Sequence, residues 1–118
     1  MKVLIVEDSE VCQNSLKNLC LKFNLECDCA NNGKEAVDFC VKENKYNFIL
    51  MDMYLPELNG IQATEAIRKL PHGSSYKIVL VSGMEEISEE EALKYGFDCF
   101  IKKPVGSKIL EELVEKFK

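Results

Sequence analysis

Residues 48–52 read Phe48-Ile49-Leu50-Met51-Asp52, four apolar side chains closed by one acid. A short run with no polar alternation suits a strand covered on both faces, as in the middle of a parallel sheet. Two more runs have the same form. Val3-Leu4-Ile5-Val6 is closed by the acidic pair Glu7-Asp8, and Ile78-Val79-Leu80-Val81 by Ser82. A further segment, Phe100-Ile101-Lys102, leads into Lys103 and Pro104. Leu25-Glu26-Cys27-Asp28-Cys29 alternates apolar and acidic residues instead, which leaves one face wet and places that strand at the sheet margin.

Helical patterns separate these runs. Cys12, Leu16, Leu19, Cys20 and Phe23 recur at helical spacing, as do Ala36, Val37, Cys40 and Val41, each set forming one apolar stripe. A third helix over about 60–70 stops before the turn residues Pro71-His72-Gly73-Ser74. A fourth, near 88–95, opens on Ser88 with a glutamate three residues on, a capping box, and is ended by Gly96. The fifth carries Ile109, Leu110, Leu113, Val114 and Phe117 on one side. Five strands and five helices in strict alternation, with no linker or repeat, predict one doubly wound α/β domain over residues 1–118. Right-handed crossovers and an edge-like second strand favour the order 2-1-3-4-5, with a ligand crevice at the C-terminal strand ends.

At 118 residues and 47% apolar content, one core is enough. The net charge of −5 counts against direct nucleic-acid binding or attachment to an anionic membrane, since either needs a dense positive face. No apolar stretch has the length of a signal peptide or a membrane span, so the cytoplasm is the expected location. The six cysteines, 12, 20, 27, 29, 40 and 99, are then expected to be reduced and mostly buried. Cys27-x-Cys29 lacks the companion ligands a zinc site needs, and His72 belongs to a turn. The acidic run from Glu85 to Glu91 reads as a solvated face and a cap.

If the strand ends are neighbours, three acids, a hydroxyl and an ammonium meet at one edge. Asp52 is the best nucleophile candidate, because a carboxylate attacks a phosphoryl group to form an acyl phosphate. Glu7 and Asp8 suit Mg²⁺ or Mn²⁺, which takes one or two carboxylates together with phosphate oxygens and water. Lys103 supplies a cation for Asp52 and then for phosphoryl oxygens, and Ser82 a hydrogen-bond donor to the same group.

Along nearly its whole length the chain resembles the response-regulator receiver domains of two-component signalling. The resemblance rests on Leu4-Ile5-Val6-Glu7-Asp8, on Met51-Asp52-Met53-Tyr54-Leu55-Pro56-Glu57-Leu58-Asn59-Gly60, on Val81-Ser82-Gly83 and on Phe100-Ile101-Lys102-Lys103-Pro104. It implies a flavodoxin-like (βα)5 sandwich in which Asp52 accepts phosphate from a sensor histidine kinase or a phosphotransfer protein. Asp8 and the backbone carbonyl of Tyr54 would join Asp52 on the metal, with Glu7 acting mainly through a metal-bound water. Such a domain is a phosphoacceptor switch rather than an enzyme, although it assists its own phosphorylation and dephosphorylation.

The resemblance also implies a coupling of Ser82 to Phe100, through which phosphorylation reshapes the surface of the fourth helix, fifth strand and fifth helix for a downstream protein target. Phenylalanine lacks a phenol hydroxyl, so an outward ring is less firmly held. Tyr54 and Met84 would flank the approach of the hydrolytic water; a bulky ring and a thioether there predict slow self-dephosphorylation. A homodimer formed on phosphorylation stays open. Two contexts also stay open, a stand-alone protein or a module excised from a hybrid histidine kinase or multidomain regulator. A hydrolase with an aspartate nucleophile would need a second acid where Tyr54 stands, and no glycine-rich nucleotide loop follows the first strand.

Overall fold

The computed structural model, which describes residues 1–42, 45–83 and 87–118, explains why the strand runs lack polar alternation. Both faces of the sheet are covered. Leu4, Val6, Ile49, Met51, Ile78 and Leu80 lie in one core, while Val3, Ile5, Phe48, Leu50, Val79 and Val81 lie in the other. Neighbouring strand residues point to opposite faces, so a strand buried on both must be apolar at every position. Full burial of each such side chain contributes roughly 1.5–3 kcal/mol.

The elements are β1 (Lys2–Val6), α1 (Glu10–Lys22), β2 (Glu26–Ala30), α2 (Gly33–Lys42), β3 (Phe48–Asp52) and α3 (Gly60–Arg68). After a 3₁₀ turn (Gly73–Ser75) come β4 (Ile78–Ser82), α4 (Glu89–Lys94), β5 (Cys99–Lys102) and α5 (Ser107–Phe117). All pairings are parallel and the order is β2-β1-β3-β4-β5, as expected. Residues of α1 and α5 line one core, with Cys20, Leu110 and Leu113 buried there; α2, α3 and α4 line the other with Ala36, Ala63, Ile67 and Ala92. Among the described residues no helix is long and apolar enough to cross a membrane.

Register decides what meets at the sheet edge. Val6 pairs with Met51, Asp52 with Val81, and Ser82 with Lys102. Glu7 follows Val6 directly and so comes level with Asp52, while Lys103 leaves the sheet one residue beyond the partner of Ser82.

Caps set the helix starts. The Ser9 hydroxyl accepts the amide of Cys12 at 3.4 Å to open α1. Asn59 and Gln62 make reciprocal bonds of 2.8 and 3.0 Å at α3, and Ser88 and Glu91 make the capping box expected at α4. Gly96 follows the end of α4 with φ +100°, a left-handed conformation that favours glycine.

The differences from expectation lie at margins. The α3 helix stops at Arg68 rather than near 70, and α4 covers only 6 residues because Ser88 and Tyr95 are its caps. Asp52 and Ser82 are the last residues of their strands rather than the first beyond them, and β2 begins at Glu26, one residue after the buried Leu25. Val41 leaves its stripe and is 64% exposed on the outer side of α2. The thiols are free, but only Cys20 and Cys40 are buried; Cys12, Cys27, Cys29 and Cys99 are half-buried. For Cys27 and Cys29 the cause is position, since an edge strand has no further strand beside it.

Candidate functional site

Glu7, Asp8 and Asp52 converge beyond the C-terminal ends of β1 and β3, with one carboxylate oxygen from each lying within 4.8 Å of the others. Glu7 and Asp52 are buried, whereas Asp8 is exposed at the mouth. The Lys103 ammonium lies 2.9 Å from Glu7 Oε2 and 3.2 Å from Asp52 Oδ2, so one cation bridges both buried acids. Glu7 Oε1 also accepts the main-chain amide of Ser9 at 3.1 Å. Sequence reasoning paired Lys103 with Asp52 alone. Its still closer approach to Glu7 is a product of register and could not be read from spacing.

Burial raises the Asp52 carboxyl to about 6, the Glu7 charge adds to the rise, and Lys103 opposes it together with the amide of Met53. For Lys103, burial disfavours the ammonium, but the hydrogen bond to Glu7 and the charges of Asp52 and Glu7 outweigh it and lift the group above its ordinary value. Three carboxylates facing one ammonium leave an excess of negative charge at the crevice. Hard oxygen donors at this spacing fit Mg²⁺ or Mn²⁺, whose charge would offset the repulsion.

The surrounding loops hold these groups through the backbone. The Lys103 amide donates to the Ser82 carbonyl at 3.0 Å, which ties the lysine to the end of β4, and the Lys103–Pro104 bond is cis. Gly60 donates to the Met53 carbonyl at 2.9 Å, and a Cβ on Gly60 would come within 2.2 Å of the Asp52 carbonyl oxygen. Glycine is therefore required by a close approach of α3 to the strand end that carries Asp52. Between them, Glu57 has φ +69° in a tight turn closed by Leu58 N to Pro56 O at 2.9 Å.

Ser82 is buried at the edge beside these groups. Phe100 pairs with Leu80, two residues back along β4 from Ser82, so the two side chains lie on the same face of neighbouring strands. The ring is half-buried against the core and lines a cavity of about 340 Å³ with Ala92, Leu93, Ile109 and Lys116, between α4 and α5. The Tyr54 side chain is 49% exposed and lines a groove with Asn59, Ile61 and Tyr95. Met84 lies outside the described residues.

Two groups of interactions escaped the sequence reading. Arg68 donates to the carbonyls of Gly73, Tyr76 and Gly96 and to the Asp98 carboxylate, which also accepts the Ile78 amide at 2.8 Å. Gln13 is buried in α1 and donates to the Glu7 carbonyl and to Asn31 Oδ1. Neither has a motif, because each partner is a backbone atom or a residue distant in sequence.

A parallel sheet in this order, with an acid-lined, lysine-bridged crevice at its C-terminal edge, defines a flavodoxin-like domain. The chain belongs to the response regulator receiver domain family, whose model matches residues 3–115. It is therefore a receiver domain of two-component signalling.

The chain is 35% identical over 120 residues to the hybrid signal transduction histidine kinase I of Dictyostelium discoideum, covering 96% of this chain but 7% of that protein. Among solved structures it is similar to the receiver domain of a sensor histidine kinase from Pseudomonas aeruginosa PAO1, crystallised with a magnesium ion coordinated in its active site cleft. The TM-score is 0.89 and identity 26%, with 98% of this chain and 95% of that one covered. It is likewise similar to the receiver domain of the Saccharomyces cerevisiae response regulator Ssk1, co-crystallised with the histidine phosphotransfer protein Ypd1. There the TM-score is 0.83 and identity 29%, with coverage of 99% and 86%.

Proposed function

We propose that Asp52 is the phosphoacceptor of this receiver. The observation that carries the reading is the single ammonium of Lys103 shared between Glu7 and Asp52, at 2.9 and 3.2 Å, in a crevice whose third acid faces solvent. A phosphoryl group enters that mouth from the phosphohistidine of a sensor kinase or a phosphotransfer protein. The bond from phosphorus to the imidazole nitrogen breaks as the bond to an Asp52 carboxylate oxygen forms, and the imidazole leaves and takes up a proton. Lys103 and the Ser82 hydroxyl then face the phosphoryl oxygens. Asp8, Asp52 and the Tyr54 carbonyl would hold Mg²⁺ or Mn²⁺, with Glu7 contributing indirectly, and such an ion would supply positive charge between the acids and the incoming phosphate.

In this reading the domain is a switch that assists its own phosphorylation and dephosphorylation rather than an enzyme with a released product. Ser82 is drawn toward the phosphoryl group, Phe100 follows, and the face of α4, β5 and α5 changes for a downstream protein, with a homodimer as one form of that output. The partners are cytoplasmic proteins, and neither nucleic acid nor membrane is contacted directly. Tyr54 beside the crevice slows hydrolysis, so a Tyr54→Asn variant loses its phosphoryl group faster; equal or slower decay would refute this role.

The same chemistry serves either context, a stand-alone receiver or a module within a hybrid kinase or a multidomain regulator. Incubation with a small phosphodonor and Mg²⁺, followed by intact mass and site mapping, tests the central reading in either context. One added phosphoryl group on Asp52 is expected. No addition, or addition that persists in Asp52→Asn, would overturn it.

A further inference from the structure

We infer that Gln13 is a positioning residue for divalent cation binding, acting through the main chain of Glu7. This rests on the reading of the acidic crevice as the metal site. Gln13 lies near the start of α1 and is 7% exposed. Both hydrogens of its side-chain nitrogen are used, one on the Glu7 carbonyl and one on Asn31 Oδ1 at 2.7 Å. Asn31 in turn donates its side-chain nitrogen to Glu35 Oε1 at 3.1 Å and its main-chain amide to the same oxygen at 2.9 Å.

The polarity of this chain of bonds is forced. A carbonyl and a carboxylate only accept, so the groups at both ends fix which way the two amides between them must face. Residue 13 has to donate twice, which glutamine does and a carboxylate or an apolar side chain of the same length does not.

The Glu7 carbonyl belongs to the peptide that joins Glu7 to Asp8. Its orientation sets the directions in which both side chains leave the backbone. On the other side, the Glu7 amide donates to the Ala30 carbonyl at 3.0 Å. Glu7 is thus gripped at its amide by β2 and at its carbonyl by α1, with the α1 grip anchored on the first turn of α2 through Glu35. The need for such a brace is electrostatic. Three carboxylates with oxygens within 4.8 Å of one another repel, and Asp8 is exposed just beyond the end of β1. An arrangement held in advance spares a cation the cost of gathering its ligands.

The test is calorimetric Mg²⁺ titration of the whole chain in wild type, Gln13→Met and Asn31→Ala, with urea unfolding in EDTA alongside. Gln13→Met is expected to weaken Mg²⁺ binding about 10-fold, as loss of groups that orient metal ligands does. Asn31→Ala keeps the Glu7 bond but loses its anchor and should weaken binding by less. Asn31 is exposed, so that variant folds and decides the matter if Gln13→Met does not. A lower urea midpoint with unchanged Mg²⁺ affinity in the folded variants would make the role merely structural and overturn the inference. If wild type takes no Mg²⁺, the metal reading itself falls, and the brace with it; if wild type binds and both variants match it, the brace alone falls.

Discussion

Replacing Asp52 with asparagine should make the metal-free protein more stable at neutral pH. The carboxyl of Asp52 is raised from an ordinary 3.8 to about 6, through burial first and then the charge of Glu7, with Lys103 only partly compensating. The folded state therefore holds this proton more tightly than the unfolded chain does. Its benefit is fully present below pH 3.8 and is lost as pH rises to about 6. Above that, the ionised acid costs the fold on the order of 2–3 kcal/mol. The amide that replaces it is uncharged at every pH and escapes the penalty. In urea unfolding with EDTA at pH 7.5, Asp52→Asn should exceed wild type by about 2–3 kcal/mol, with the gap closing toward pH 4. Added Mg²⁺ should narrow it from the other side by stabilising wild type. Equal or lower stability of Asp52→Asn at pH 7.5 in EDTA, or a gap that acid does not shrink, would refute the electrostatic account.

The other predictions concern neighbouring groups. Lys103→Met leaves Glu7 and Asp52 without their shared cation, so metal-free stability should fall by about 2 kcal/mol at pH 7.5 and by less at pH 5, where Asp52 takes up a proton; urea unfolding at both values checks this. Arg68→Ala should cost about 3 kcal/mol, since three carbonyls and the Asp98 carboxylate lose their donor. Arg68→Lys should recover little of that loss, because an ammonium cannot reproduce the planar fork. Burial pushes the Cys20 and Cys40 thiols up to about 12, so timed alkylation at pH 8 with mass mapping should find these two modified last.

The fold was legible because a doubly wound sheet repeats one rule. Val3–Val6, Phe48–Met51 and Ile78–Val81 are apolar at every position, the mark of strands buried on both faces, and the helical stripes fall between them. Even the capping box at Ser88 and the stop at Gly96 could be read, since both are local backbone chemistry. What failed was equally local. Val41 fits the stripe of α2 by spacing yet faces solvent, because spacing does not say where the covering surface ends.

Within the site, the sequence alone determined the residue types: acids after the first strand, one acid closing the third, a hydroxyl closing the fourth, and a lysine before a proline. Their sharing of one edge followed once the strands were taken as parallel. Only the tertiary structure decided how the charges divide, with Lys103 held between Glu7 and Asp52 and Asp8 left to solvent. It alone disclosed Gln13 and Arg68. The physical reason is that a sequence pattern records burial and local hydrogen bonding, whereas these residues act on carbonyls brought near by register and packing, and a carbonyl is present at every position and leaves no mark in the sequence.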